Sequence, residues 1–319
     1  MTNLTAPRFT DETAAREHLE ALRWPEGPFC PHCGSFNAAR LPAQRGRPTK
    51  AHPDGAIRAG VVQCRDCRKQ YSVTVGTVFE GSKVPLNKWL LANYLLVSSK
   101  KGMSVHQLHR MLGVTYKTAW FMFHRIREAM REEGGDKFGG GGGIVEIDET
   151  YIGRDRTKEQ KAGGASHKMK VLTLVDRETG RARSLRFENF RKEEIGMIVR
   201  HNVAHEAVLM TDEANLYRGL SKMHAGHKVV THGKGEYVNK DDATTHTNTI
   251  EGFFSIFKRG MIGVYQHCGK QHLNRYLAEF DFRYSNRAAN GVDDAARADL
   301  ALKGIAGRRL FYRRPSFAA

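Results

Sequence analysis

Two apolar runs in this chain each lead into an aspartate, and that pattern constrains the fold more than any other feature. Ile144-Val-Glu-Ile-Asp148 and Val208-Leu-Met-Thr-Asp212 both read as buried strands. A third acidic residue, Glu251, lies in Asn248-Thr-Ile-Glu-Gly-Phe-Phe-Ser255, a segment with helical periodicity. At about 3.6 residues per turn, Asn248, Glu251, Ser255 and Lys258 fall on one stripe. Ile250, Phe253, Phe254, Phe257 and Met261 form the neighbouring apolar stripe that docks the helix on the sheet. Glu251 is thereby expected to face Asp148 and Asp212.

Carboxylates delivered in this way suit hard divalent cations, because Mg²⁺ takes a few carboxylate oxygens and keeps water and substrate phosphates as its other ligands. A pair of such ions about 3.5–4 Å apart activates an attacking oxygen and stabilises the leaving 3′ oxygen of a phosphodiester. The expected cofactors are therefore two Mg²⁺ or Mn²⁺ ions on Asp148, Asp212 and Glu251. Lys258, further along the same stripe, is placed to reach a phosphate. No protein nucleophile is needed, and no Ser-His-Asp set stands out. The isolated Cys268 reads as inert.

Upstream lie two metal-type cysteine pairs, Cys30-Pro-His-Cys33 and Cys64-Arg-Asp-Cys67. Four thiolates close the coordination sphere of one structural Zn²⁺, so His32 and His52 are not needed as ligands. Thirty residues separate the pairs, which predicts a protruding basic insert from Arg40 to Arg58, carrying Arg45, Arg47 and Lys50. A short amphipathic stretch around Ala14, Leu19 and Leu22 precedes the first pair, and Gln70–Val75 alternates as a strand should.

Three helices are expected next. The first starts at Pro85, with Leu86, Trp89, Leu90, Tyr94 and Val97 on one face. The second starts at Ser104, with Gln107 completing a capping box and Val105, Leu108, Met111 and Leu112 apolar. Gly113 ends it, and Thr115 opens a third helix with Tyr116, Ala119, Trp120, Phe123 and Met130 inward. A short helix, a glycine turn and a longer helix make a helix-turn-helix. Its outward positions, Lys117, Thr118, Phe121, His124 and Arg125, are candidate DNA contacts.

Residues 134–143 contain seven glycines and read as a flexible linker. Beyond them strands are expected at 144–152, 169–176, 181–188, 207–212 and 228–231. Arg177-Glu-Thr-Gly180 should join the second and third, and a helix is expected near 191–203. A basic loop after Asp148, with Arg154, Arg156, Lys158, Lys161, Lys168 and Lys170, is a candidate DNA-holding surface. The C-terminus is basic, with Arg308, Arg309, Arg313 and Arg314.

The charge balance agrees with a polyanionic partner. The chain has 51 Lys and Arg against 34 Asp and Glu, a net charge of +17. Binding driven by such an excess falls steeply with salt. No apolar run reaches the ~20 residues of a membrane span, and the N-terminus lacks the apolar core of a secretory signal. Cytoplasmic, nucleoid-associated residence is the expectation, with metal-bound rather than disulfide-bonded cysteines.

These residues resemble the ISXO-like DDE transposases of bacterial and archaeal insertion sequences. The likeness runs through Cys30-Pro-His-Cys-Gly, Cys64-Arg-Asp-Cys-Arg-Lys, Gly76-Thr-Val-Phe-Glu and Leu112-Gly-Val-Thr-Tyr-Lys-Thr-Ala-Trp. It continues in Ile147-Asp-Glu-Thr-Tyr-Ile-Gly, Thr211-Asp-Glu, Asn248-Thr-Ile-Glu, Phe257-Lys-Arg-Gly and Glu279-Phe-Asp-Phe-Arg-Tyr-Ser-Asn-Arg. The resemblance implies an RNase H-like catalytic domain, an α/β fold with a mixed sheet flanked by helices. It also implies a triad on Asp148, Asp212 and Glu251 with Lys258, terminal-inverted-repeat and target double-stranded DNA as partners, and homo-oligomers that pair two ends. Some relatives carry Asn in the third acidic place, which makes Asn248 a second candidate there.

The implied organisation is a zinc ribbon with an N-terminal helix (1–80), a helix-turn-helix domain (84–132), a glycine linker (133–143), the catalytic domain (144–290) and a basic tail (291–319). Two other functions fit parts of this pattern. One is a zinc-ribbon and helix-turn-helix regulator with an inactive catalytic domain. The other is a structure-selective nuclease of the same fold.

Overall fold

The computed structural model describes the chain except for residues 1–3, 51–52, 56, 133, 161–163, 189–190, 232–237, 240–241 and 311–319. The readings of His52, Lys161, Arg313 and Arg314 lie outside the described residues. The chain divides into two compact units.

The first unit comprises Met1–Ser98, Val105–Ala129 and Asp294–Ala319. It opens with α1 (Pro7–Thr10) and α2 (Glu12–Arg23), where Asp11 caps α2 by accepting from the Ala14 N–H at 2.7 Å. The cysteine module follows, with β1 (Ala38–Arg40), β4 (Val62–Cys64) and β5 (Gln70–Tyr71) forming a three-stranded antiparallel sheet. The expected strand over 70–75 is only these two residues long. The basic insert between the cysteine pairs folds back on itself as β2 (Gln44–Arg45) and β3 (Ile57–Arg58), an antiparallel pair.

The helices are α3 (Leu86–Ser98), α4 (Val105–Leu112) and α5 (Tyr116–Ala129). All five residues expected on the inner face of the first are buried. Two apolar expectations are corrected: Met111 is 50% exposed and Tyr116 44% exposed. Both flank the tight turn at Gly113, whose positive φ of 60° suits a residue without Cβ. His106 lies against Tyr116 with ring centroids 4.6 Å apart.

The second unit comprises Ser99–Ser104 and Met130–Asp293. Its sheet contains β6 (Ile144–Ile152), β7 (Met169–Asp176), β8 (Ala182–Phe187), β9 (Val208–Asp212) and β10 (Gly226–Val230). The order across the sheet is β8-β7-β6-β9-β10. The first three form an antiparallel meander, β9 runs parallel to β6, and β10 parallel to β9. This is the mixed sheet of an RNase H-like fold. One face packs α6 (Lys192–Asn202), with Val145, Ile147, Leu174 and Leu209 against Ile195 and Val199. The other packs α7 (Asn248–Gly260) and α8 (Leu273–Ser285), with Ile152, Val171 and Val175 against Ile250, Phe253 and Phe257.

Two segments depart from expectation. The glycine-rich stretch is not a free linker. Phe138 is 1% exposed, lies in the α6-side core and carries Arg183 over its ring at 4.8 Å. The Gly139 N–H donates to Asp176 at 2.9 Å, and Gly140–Gly142 form a 3₁₀ turn. Gly139 at φ +71° would set an added Cβ 2.5 Å from that of Ala207, so glycine here allows close approach rather than looseness. The supposed tail contains α9 (Asp294–Lys303), which returns to the first unit and packs on α3, with Asn93 donating to the Ala298 carbonyl at 2.9 Å.

Phe138→Ala is therefore expected to destabilise the second unit by about 3–5 kcal/mol in urea unfolding, the range for emptying a buried aromatic site. A flexible linker would show a change within about 0.5 kcal/mol.

Candidate active site and metal centre

The parallel ladder between β6 and β9 brings the two aspartates together. It pairs Ile144 with Val208, Val145 with Leu209 and Glu146 with Met210, two residues short of Asp148 on β6 and of Asp212 on β9. Side chains alternate along a strand, so Glu146, Asp148, Thr150 and Ile152 share one face of β6. Ile152 belongs to the core under α7, which fixes that face as the one toward Glu251. The helix spans the expected residues, with its expected apolar stripe buried and Asn248, Glu251 and Lys258 exposed. Lys258 carries its ammonium over the Phe254 ring at 5.8 Å.

Asp148 senses the charges of the other two acids. The Asp148 carboxyl is pushed up to about 7, first by burial and then by the charge of Glu149, with Asp212 and Glu251 adding to it. The Glu149 N–H, 2.8 Å from Asp148 Oδ1, opposes the shift. Asp212 Oδ1 accepts from the Ala214 N–H at 3.0 Å, which holds its rotamer at the end of β9. A group held neutral by burial and neighbouring negative charge is one a divalent cation would ionise, so the acids present fit Mg²⁺ or Mn²⁺. The three carboxylates do not converge tightly. Among the described residues the four cysteines alone form a set of three or more His, Cys, Asp or Glu side chains arranged to hold an ion. Mg²⁺ keeps water and phosphate oxygens among its ligands, so it does not require three protein carboxylates in mutual contact.

Two further acids on β6 were not singled out from sequence. Glu146 is fully buried, and its two oxygens accept from Arg177 Nε at 2.5 Å and from the Ile250 backbone N–H at 2.8 Å. Glu149 accepts from the Tyr217 hydroxyl, joining β6 to the turn that follows Asp212. Burial raises Glu149 above the usual carboxylate range, while the Tyr217 bond works against that rise. A charged residue inside a run that otherwise reads as buried was the available signal for Glu146.

The zinc module is more closely assembled. The Sγ atoms of Cys30, Cys33, Cys64 and Cys67 all lie within 4.8 Å of one another, with Cys30–Cys67 and Cys33–Cys64 each at 3.6 Å. Four bonds of about 2.3 Å to one tetrahedral Zn²⁺ suit that spacing. The residue after each pair, Gly34 and Arg68, adopts positive φ (77° and 61°), the turn that points both thiols at one centre. The Cys67 N–H, 3.5 Å from the Cys64 sulfur, is the leading reason that the Cys64 thiol is held down to about 7.

The candidate DNA contacts divide. Lys117, Arg154, Arg156 and Lys168 are exposed and Thr118 is half-buried. His124 and Arg125 are 0% and 5% exposed, which corrects their assignment to the outer face of α5. Arg125 donates to the Glu80 carbonyl at 2.5 Å and stacks on Trp89 and Phe121, while the His124 ring lies on Trp120. Both are part of the packing of the first unit.

Comparison with known proteins bears out the resemblance. Residues 10–70 match the transposase zinc-ribbon domain, and residues 141–285 the ISXO2-like transposase domain. A protein of Halobacterium salinarum, described as an uncharacterized protein in transposable element ISH50, is 29% identical over 293 residues. That match covers 86% of this chain and 91% of the relative. Among solved structures, a chain from a simian T-cell lymphotropic virus intasome in complex with the PP2A regulatory subunit B56 gamma is 14% identical. It covers 55% of this chain and 63% of its own length, with a TM-score of 0.29, too low to carry an argument. Among the described residues, no helix is long and apolar enough to cross a membrane.

The raised Asp148 carboxyl makes stability depend on pH. Between about pH 4 and 7 the folded, cation-free chain holds a proton that the unfolded chain releases, so this group's contribution to stability falls as pH rises. Mg²⁺ competes with that proton and should raise the melting temperature more at pH 8 than at pH 5.5. Asp148→Asn should abolish the pH dependence of the gain. That control matters because burial also pushes Asp281 up to about 7. A gain that is equal at both pH values, or retained in Asp148→Asn, would contradict the assignment. In the first unit, a strong zinc chelator should lower the melting temperature, and added Zn²⁺ should restore it.

Proposed function

The chain carries a transposase zinc ribbon and an ISXO2-like transposase domain, and from that premise we propose that it cuts and rejoins DNA strands at the ends of its own insertion sequence. The observation that carries this reading is the placement of Asp148 and Asp212 on adjacent parallel strands within the region that matches the transposase domain, with the charges of Asp212 and Glu251 reaching the buried Asp148 carboxyl. In this reading Asp148 and Asp212 hold the catalytic cations from adjacent parallel strands, and Glu251 completes the set from α7. Mg²⁺ or Mn²⁺ bound there would polarise the scissile phosphate and activate the attacking oxygen, from water in cleavage and from a 3′-hydroxyl in joining. Lys258, two helical turns beyond Glu251, would hold a phosphate of the same strand.

The zinc ribbon and the helix-turn-helix would bind terminal inverted repeats. Lys117 and Thr118 at the start of α5 would enter a major groove, where early residues of a recognition helix meet base edges. Arg154, Arg156 and Lys168, which follow Asp148 along the chain, would neutralise phosphates. Pairing two ends calls for at least two copies of the chain on DNA, and such work places it with the nucleoid.

The test is strand transfer by purified protein in Mg²⁺, from a plasmid whose marker lies between the element's own ends. Asp148→Ala and Glu251→Gln are expected to lose cleavage and joining by about 100-fold or more while still binding ends, since each removes charge stabilisation from the reacting centre. Asn248→Ala, altered one turn earlier on α7, is expected to retain both. Tight end binding by the native chain with neither nicking nor joining would contradict the enzymatic reading. Cutting of junctions without any joined product would favour a nuclease.

A further inference from the structure

We propose that Glu146, Arg177 and His246 form a positioning clamp that fixes the Glu251-bearing helix against the strand carrying Asp148. The proposal rests on the reading of those two acids as one metal site.

Glu146 precedes Asp148 by two residues on the same face of β6, yet its surroundings differ. Asp148 faces other acids, whereas both oxygens of Glu146 are already engaged by donors. That arrangement gives Glu146 the role of a tether rather than a ligand. Its bond to the Ile250 N–H serves the first turn of α7 from a strand 104 residues away in sequence. The first N–H groups of a helix have no partner within the helix, and a carboxylate there is also favoured by the helix dipole. The N-cap residue Thr247 makes no side-chain cap bond and instead directs its hydroxyl to Glu251 at 3.4 Å.

Arg177 completes the clamp from the β7–β8 turn. Besides Glu146, its guanidinium donates to the carbonyls of Thr244 and His246, at 2.7 and 2.6 Å, and to His246 Nδ1 at 2.8 Å. One planar cation thus grips the chain entering α7 at two successive points while paired with the strand. His246 is held below the usual imidazole range, first by burial and then by the Arg177 charge, so the neutral ring accepts that bond. Residues that orient metal ligands from behind change affinity by about 10–100-fold when altered. The clamp does this at the level of a whole helix, since Asn248 and Glu251 lie in the turn that it anchors.

The experiment compares native protein with Glu146→Gln, using Mn²⁺ as the probe. Three quantities are read: Mn²⁺ binding by electron paramagnetic resonance, hydrogen exchange of the amides at the start of α7, and end cleavage as Mn²⁺ is raised. The variant is expected to bind Mn²⁺ about 10–100-fold more weakly. Its amides near Ile250 should exchange faster, end-DNA binding should be unchanged, and much of the cleavage should return at saturating Mn²⁺. Unchanged Mn²⁺ affinity together with unchanged exchange would overturn the clamp, as would cleavage that no Mn²⁺ concentration restores. Should Glu146→Gln fail to fold, Arg177→Lys poses the same test, because it keeps the charge and loses the fork. Asp148→Asn separates metal binding from the fixing of α7. If it binds Mn²⁺ as the native chain does, the metal reading falls, and the exchange result alone decides whether α7 is clamped.

Discussion

Like charges on a buried surface repel, and the second unit is organised to hold that repulsion in place. The parallel strands β6 and β9 carry Asp148 and Asp212, and burial of Asp148 near other acids raises its carboxyl to about 7. Such an arrangement lasts only where the backbone around it is fixed by other interactions. The sheet supplies most of that, with β6 hydrogen-bonded on both sides. Two acids on the same strand supply the rest. Glu146 ties β6 to the start of α7, and Glu149 ties it to the turn after β9 through Tyr217. Glu146 thus anchors the helix carrying Glu251, and Glu149 anchors the turn that follows the strand carrying Asp212.

Much of this unit was legible in the sequence because its elements carry strong, unmixed signals. The runs at 144–152 and 169–176 match their strands, and the periodicity around Phe253 gives α7 its correct buried face. Asp148 and Asp212 lie on the two strands that such apolar runs form, and Glu251 lies on the exposed side of α7. The clamp was not legible in the same way. Nothing local in Arg177-Glu-Thr-Gly180 distinguishes a hairpin turn from one whose first residue reaches a helix entry about 70 residues later.

The first unit was harder to read, for two physical reasons. Helical periodicity identifies a face by polarity, and Arg125 and His124 look polar while packing through their planar groups on Trp89, Phe121 and Trp120. Conversely, Met111 and Tyr116 look like core residues but flank a tight turn that leaves them exposed. Glycine content misled in the same manner at 134–143, where small residues permit close packing around Gly139 rather than free motion. The return of α9 to the first unit is a long-range pairing that local composition does not encode.

In the proposed function Asp148, Asp212 and the first turn of α7 hold catalytic cations on DNA. Anomalous diffraction from crystals of the protein bound to its element-end DNA in Mn²⁺ tests this most directly. Mn²⁺ peaks shared by the Asp148 and Asp212 carboxylates are expected, with Glu251 completing the site and a DNA phosphate among the ligands. Mn²⁺ found only elsewhere, with those carboxylates pointing away from the phosphate, would contradict it.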